Sequence, residues 1–289
     1  MVVTTTEEED GVVNLATGTA ISARRETIRG LLLERGAVRT SELAAEFGVS
    51  TMTVSRDLEA MESDGWLQRT RGGATVQRSA LFELNVWARL RENTGAKREI
   101  AVAAAAIVKR GAAVFLDDSS TALACAERLG EQGPVTLITN FRKIQEQAIS
   151  NSGVHLITLG GQYLPSNDSF QGEITVLSIE ALSADIAFVS TSAIRGGSCY
   201  HQVPQSISVK RAMLRAAERT VLLVDHSKFA KRALHRFAAI SDFDTVIVDS
   251  GIHEADLAAL QDLGVEVIVA KPLDDEVDGH VETKDAASN

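Results

Sequence analysis

From position 97 to 270 the chain alternates short, continuous apolar runs with segments whose apolar residues recur every three or four positions. The runs AVFLD (113–117), VTLITN (135–140), VHLITLGG (154–161), DIAFVST (185–191), TVLLVD (220–225), DTVIVD (244–249) and VEVIVA (265–270) predict strands. The segments between them predict helices over 96–110, from Ser120 onward, and over 141–151, 173–182, 206–219 and 253–263. Buried strands alternating with helices imply a mainly parallel sheet covered on both faces.

Residues 21–78 carry a different pattern. Ile28, Leu31 and Leu32 follow helical spacing after a Ser22 cap, and that helix ends at Gly36. Thr40 caps a second helix with Leu43, Ala44 and Phe47 on one face. Gly48 supplies a turn and Val49 tucks in behind it. Ser50 then caps a third helix, with Val54, Leu58 and Met61 inward and Gly65 at its end. Two short helices joined by so tight a turn describe a helix-turn-helix. The sequence WLQRTRGGATVQR (66–78) reads as a two-stranded wing turning at its glycines. The expected architecture is therefore α/β: a small N-terminal winged helix-turn-helix (21–78), a linker helix (79–95) and a larger C-terminal α/β domain with a mainly parallel sheet (96–271). The ends, 1–20 and 272–289, are polar and acidic and are expected to be disordered tails.

Charge sharpens this division. The 289 residues sum to −10, yet residues 20–78 hold nine Arg against eight acids, and the first Lys of the chain is Lys97. Arginine suits forked contacts to phosphate and to guanine edges; a genome rich in arginine codons would give the same bias. The outward residues of the third helix are expected to enter the DNA major groove: Thr51, Met52, Thr53, Ser55 and Arg56. Thr40 and Ser50 are further DNA candidates, and Arg69, Arg71 and Arg78 of the wing would meet backbone phosphate. Ser50 and Thr53 serve equally well as helix caps. Two cysteines, Cys125 and Cys199, with no metal spacing around them, fit a reducing cytoplasm. No apolar run is long enough to span a membrane, and no cofactor motif is visible.

Polar residues collect at the predicted strand ends, where ligands bind in such sheets. DDSST (117–121) closes one strand and opens a helix, so its amides with Ser119, Ser120 and Thr121 would cradle a phosphate. For Ser120 the alternative is a plain helix cap. Asn140, Gly161, Asp225 and Lys228 stand at other strand ends, and several polar ends on one rim, with a lysine, imply a pocket for a small anion.

The segment VSTMTVSRDLEAMESDGWLQRTRGGA (49–74) resembles the DeoR family of bacterial transcription regulators, with Ser55 where an arginine is usual and Arg71 where a histidine is. The resemblance continues through Lys97, Asp117, Ser120, Thr121, Asn140, Gly161, Asp225 and Lys228, with Ser119 in place of a glycine. It implies a sensor domain like ribose-5-phosphate isomerase that binds phosphorylated sugars. By that analogy the phosphate sits at Ser119–Thr121 with Lys228 as counter-charge, and Asp117, Asn140, Gly161 and Asp225 line the hydroxyl side. Lys97 either binds the ligand or pairs with an acid, and His201 and Gln202 either enter the pocket or form a surface loop. The implied partners are a double-stranded operator, a sugar-phosphate effector and a second copy of the chain. Trp87 and Phe82 of the linker are expected to pack between the domains. The second reading is a sugar-phosphate isomerase with a DNA-binding appendage, using Asp117 or Asp225 as its base; no matching catalytic carboxylate is present in the expected loop.

Overall fold

The computed structural model describes residues 21–63, 67–76 and 86–273, except 22, 26, 29, 33 and 34. The expected Ser22 cap, the Gly65 stop, Arg78, Phe82, most of the two acidic tails and the start of the linker lie outside the described residues, as does the Trp87 side chain.

Helical residues between 21 and 35 form α1. A strand the apolar pattern gives no sign of, β1 (Ala37–Arg39), follows, then α2 (Thr40–Phe47), α3 (Thr51–Ser63), β2 (Leu67–Thr70) and β3 (Gly73–Val76). The wing is thus three-stranded, in the order β1-β3-β2 and antiparallel throughout. Three residues are too few to show alternation, which is why β1 escapes a pattern-based reading. Ile28, Leu32, Leu43, Val54, Leu58, Met61 and Leu67 close one small core. Gly48 ends α2 in the left-handed region, at φ 63°, which sets the angle between the two helices.

The linker is not one helix through residue 95. Its described part, α4 (Val86–Arg91), stops, and Asn93 takes a left-handed φ of 50° before α5 (Thr94–Ala106) begins. The chain then runs through β4 (Ala113–Leu116), α6 (Ser120–Gln132), β5 (Val135–Thr139), α7 (Arg142–Ile149) and β6 (Val154–Thr158). A hairpin of β7 (Gln162–Leu164) and β8 (Ser169–Gln171) leads to α8 (Glu173–Glu180) and β9 (Ala184–Ser190). Next come β10 (Ala193–Arg195), β11 (Ser198–His201), α9 (Pro204–Arg215), β12 (Ala217–Val224), β13 (His235–Ala239), β14 (Thr245–Val248), α10 (Glu254–Gln261) and β15 (Glu266–Val269).

Seven strands form one sheet in the order β15-β14-β12-β9-β4-β5-β6, every pair parallel. Alternate residues feed the two layers: Phe115 faces one core, and Val114 and Leu116 face the other. Most of the expected strands stop one or more residues early, because the polar residues at their carboxyl ends leave the ladder to make contacts of their own. The segment GGSCYHQ is the turn and second strand of the β10–β11 hairpin, extended by β13 into a small antiparallel sheet. Gly196 and Gly197 both have positive φ, 53° and 67°, as a two-residue hairpin turn requires.

The strand order fixes where a ligand can sit. From β4 the chain moves outward to β5 and β6, then returns to β9 on the other flank of β4. The loops after β4 and β9 therefore diverge and leave a crevice at the carboxyl edge, the switch point of such sheets.

Candidate functional site

In the winged unit, α3 presents Thr51, Met52 and Arg56 to solvent, and Met52 is 65% exposed. Ser50 caps the helix by accepting the Thr53 amide at 3.1 Å, and the Ser50 and Thr53 hydroxyls bond each other at 2.9 Å. These two are thus occupied as caps. Arg69 of the wing donates from Nη2 to Ser55 Oγ at 2.9 Å, and its amide donates to Glu62 at 2.7 Å. The wing and α3 are therefore joined into one surface, with Arg71 exposed at the turn. Thr40 is not a cap: it is the first residue of α2, Arg39 holds the cap position with no side-chain bond, and the Thr40 amide donates to Gly72 O at 2.9 Å. Two of the arginines face inward instead. Arg24 and Arg25 donate from Nε to the two oxygens of the buried Asp57, at 2.6 and 2.9 Å. They neutralise an acid that would otherwise lie under the recognition helix. The sequence pattern gave Asp57 no such role, because a lone carboxylate on a helix normally faces water.

At the switch point lies a recess. The loop after β4 contributes Ser119, Ser120 and Thr121, and the end of β9 contributes Ser190, Thr191 and Ser192. Three cationic side chains complete it: Arg89 from α4, Lys210 from α9 and Lys228 from the loop after β12, with His201 of β11 beside them. The recess is tight, with a free volume of about 10 Å³, the space of about one water. Its floor is the start of α6, where the first amides have no intrahelical acceptor. Ser119 is the cap here, its Oγ accepting from the Ala122 amide at 3.0 Å, so Ser120 is released from that duty and its hydroxyl lines the recess. The Ser119 amide is also spoken for: it donates to Asp117 at 3.1 Å.

Two buried carboxylates and one lysine underlie this floor. Lys210 Nζ bonds Asp117 Oδ2 and lies 3.6 Å from Asp118 Oδ1. Asp117 also accepts the Ser190 amide at 2.7 Å, which ties the two diverging strand ends together. Asp118 Oδ2 accepts from Asn167, Ser169, Gln171 and Ser206 at 2.9–3.1 Å. Burial alone would raise the Asp118 carboxyl; Lys210 foremost, then His201 and Arg89, and the Asn167 bond hold it well below the ordinary carboxylate range. Burial alone would lower the Lys210 ammonium, and Asp117 and then Asp118 outweigh this and raise it. Asp117 is thus a structural anchor. It does not line the hydroxyl side of the recess, as the resemblance implied: its oxygens are taken by Lys210 and by the Ser119 and Ser190 amides. Lys210 and Asp118 were missed because each lies in a segment whose neighbours read as ordinary helix or turn; only the fold brings them together.

The remaining expected residues divide. Asp225 closes β12, accepting at Oδ1 from the Ser227 amide at 3.1 Å and Asn93 Nδ2 at 3.0 Å, with Lys228 Nζ 3.6 Å from Oδ2. Burial would raise its carboxyl, and Lys228, Ser227 and Asn93 hold it down. Asn140 donates to Phe170 O at 2.7 Å, in the neighbouring strand end. Gly161 is not among the residues lining the recess; at its φ of 146° a Cβ would land on Thr175 Oγ1 and within 2.6 Å of the Gln171 carbonyl, which a glycine avoids. His201 is buried in β11 rather than on a surface loop, while Gln202 bonds the Arg232 carbonyl at 3.0 Å.

Lys97 is neither an acid's partner alone nor a wall of the recess: its Nζ donates to the carbonyls of Arg89 and Glu92 at the end of α4. Burial, then the Lys228 charge, pushes its ammonium down to about 8, against the pull of Asp225 and Glu92. The unfolded chain keeps the ordinary value of 10.5 and so binds more protons between the two. The contribution of Lys97 to folding stability should therefore rise from about pH 8 to about 10.5, so the wild type should gain on Lys97→Met across that range, while the two buried thiols affect both proteins alike. Urea denaturation at stepped pH checks it; parallel curves for the two proteins would refute it.

Six buried side-chain polar atoms lack a hydrogen-bond partner among the described residues, and five of them gather at this carboxyl edge: Arg89 Nε, Asn140 Oδ1, Gln171 Oε1, Ser192 Oγ and Asp225 Oδ2. Native interiors rarely leave such groups unpaired. Their concentration at one edge marks a place built to meet polar groups from outside the chain.

Residues 24–80 match the DeoR-like helix-turn-helix domain, and residues 92–250 match the DeoR C terminal sensor domain. The chain belongs to the DeoR family. Its winged unit and parallel sheet are that family's DNA-binding and sensor domains, and the protein is a transcriptional regulator. A protein of Escherichia coli O157:H7 provisionally designated an aga operon transcriptional repressor is 32% identical, over 87% of this chain and 94% of that one. The transcriptional repressor AccR of Agrobacterium fabrum is 32% identical, over 79% and 89%. The L-fucose operon activator of Haemophilus influenzae is 30% identical, over 79% and 92%. These DeoR relatives favour the regulator over the isomerase reading. A ribose 5-phosphate isomerase from Methanocaldococcus jannaschii superposes with a TM-score of 0.35 at 21% identity, over 46% of this chain and 53% of that chain. A likeness that loose carries no argument about the ligand. Among the described residues no helix is long and apolar enough to cross a membrane.

Proposed function

We propose that this DeoR protein represses a carbohydrate operon and lets go of its operator when a phosphorylated sugar or sugar derivative fills the switch-point recess. The recess itself carries the reading: helix-opening amides and the Ser120 and Thr121 hydroxyls on one wall, Arg89, Lys210 and Lys228 on the others. Such a set suits an oxyanion carried on a polar body. The names of two of the relatives above support repression, and the third, an L-fucose operon activator, supports a carbohydrate operon. DNA is read by Thr51, Met52 and Arg56 of α3, with Ser55 held by Arg69 and with Arg71 of the wing on phosphate. A two-fold pair of such units fits paired half-sites, so the protein works as a homo-oligomer in the cytoplasm.

Fluorescence anisotropy of the full chain on DNA flanking its own gene, with a panel of sugar phosphates, tests this. One compound is expected to weaken specific binding while its unphosphorylated sugar does not. Specific binding that no phosphorylated compound alters would overturn the effector assignment and leave the DNA assignment standing.

A further inference from the structure

We infer that Arg89 is a ligand of the effector's phosphoryl group, so that the linker helix itself, and not only the sheet, senses occupancy. This rests on the effector reading above and deepens it. Arg89 is 8% exposed, lines the recess opposite the start of α6, and its Nε has no acceptor among the described residues. A guanidinium presents its donors as a fork that fits two oxygens of a phosphoryl group. Leaving such a donor buried and unmatched is costly unless a ligand completes it.

The backbone around Arg89 is held from the same side. Its carbonyl and that of Glu92 take Lys97, Asn93 bonds Asp225 and Ser227 at 3.0 and 3.1 Å, and Glu92 pairs with Lys231 at 3.0 Å. The end of α4 is thus bolted to the loop that also carries Lys228. Two residues further along α4, Arg91 donates from Nη1 to Gly30 O in α1, at 3.2 Å. Residues two apart point to opposite sides of a helix. Arg89 therefore faces the recess while Arg91 holds the winged unit. The recess is narrow at its base, so a phosphoryl group drawn in by these donors would press on its walls. Arg89 sits on the wall whose displacement shifts α4 and pulls on Gly30.

Amide hydrogen–deuterium exchange of the full chain, titrated with inorganic phosphate at constant ionic strength in chloride, is the test. In the wild type, phosphate is expected to slow exchange at residues 119–123 and to change exchange at 86–93 with the same midpoint. In Arg89→Gln the midpoint should rise about tenfold or more, and the change at 86–93 should vanish even where 119–123 are saturated. Arg89→Lys, which keeps the charge without the fork, should fall between. An Arg89→Gln protein with the wild-type midpoint and linker response would overturn the role of Arg89 and leave the recess as an anion site. No phosphate response at 119–123 in the wild type would overturn the site and the role together. Were Arg89→Gln to exchange rapidly throughout before phosphate is added, Arg89→Lys decides, and an unchanged midpoint there overturns the proposal.

Discussion

Replacing Lys210 by methionine is expected to destabilise the sensor domain by about 3–5 kcal/mol, the usual consequence of removing one partner from a buried ion pair. The melting temperature should fall by about 10 °C or more. Lys210 is fully buried and faces two carboxylates that are buried as well. Without it, Asp117 and Asp118 stand within one water-poor site with no counter-charge among their direct contacts. The loss should depend on pH in a defined direction. In the wild type Asp118 is held below the ordinary range, so its contribution is present above about pH 4 and fades as pH falls below that. In Lys210→Met the main charge that holds the Asp118 carboxyl down is gone, and burial is left to raise it above its value in the unfolded chain. The deficit against wild type should therefore shrink as pH drops from 8 to 5. A second substitution separates charge from packing. Asp118 directs Oδ2 at its four donors and Oδ1 at Lys210, so an asparagine in its place can keep its oxygen on the donors and turn its amide to the vacated side. Lys210→Met with Asp118→Asn should recover part of the loss. Urea denaturation followed by far-UV circular dichroism reads all three proteins; a single Lys210→Met variant with an unchanged midpoint would sink the argument.

That cluster also shows which parts of the protein could be read from residues alone. Strands of the large sheet are buried on both faces, so each reads as an unbroken apolar run such as TVLLV, and their places were legible. Helix starts were legible where a hydroxyl caps the next turn, as at Ser50. Placement was off by one at Ser119 and Ser120, because neighbouring serines are interchangeable as caps until the backbone decides. What stayed hidden was contact across long separations. Asp118 meets Ser206 and Lys210, and Asp57 meets Arg24 and Arg25, through pairings that no local period encodes. The short antiparallel strands β1, β7, β8, β10, β11 and β13 escaped for a different reason: three to five residues hold too little alternation to be distinguished from loop. Arg89 is the instructive case. Beside Arg91 in ARLREN it looks like one of two surface arginines, yet the helix turns them to opposite sides, one into the recess and one toward Gly30.

Arg56→Ala should weaken specific operator binding about tenfold or more while leaving binding to random DNA little changed, because a bidentate arginine–guanine contact discriminates by about 1–3 kcal/mol. The geometry favours Arg56 over its neighbours for this proposed role. Asp57, one position on, is turned into the core and neutralised by Arg24 and Arg25, so it does not repel the phosphates next to which Arg56 must lie. Ser50 and Thr53 bond each other at the helix start. Ser55 is held by Arg69, which leaves Arg56 as the forked donor on the exposed face of α3, beside the exposed Met52 that suits a thymine methyl. Arg71 stands exposed at the wing turn and is expected to meet backbone phosphate. Arg71→Ala should lower operator and random-DNA affinity alike and reduce the slope of log affinity against log salt by about 1. Anisotropy titrations at three salt concentrations, on operator and scrambled duplexes, distinguish the two. Equal losses on both duplexes for Arg56→Ala would make it a phosphate contact, and base reading would then fall to Met52 and Thr51.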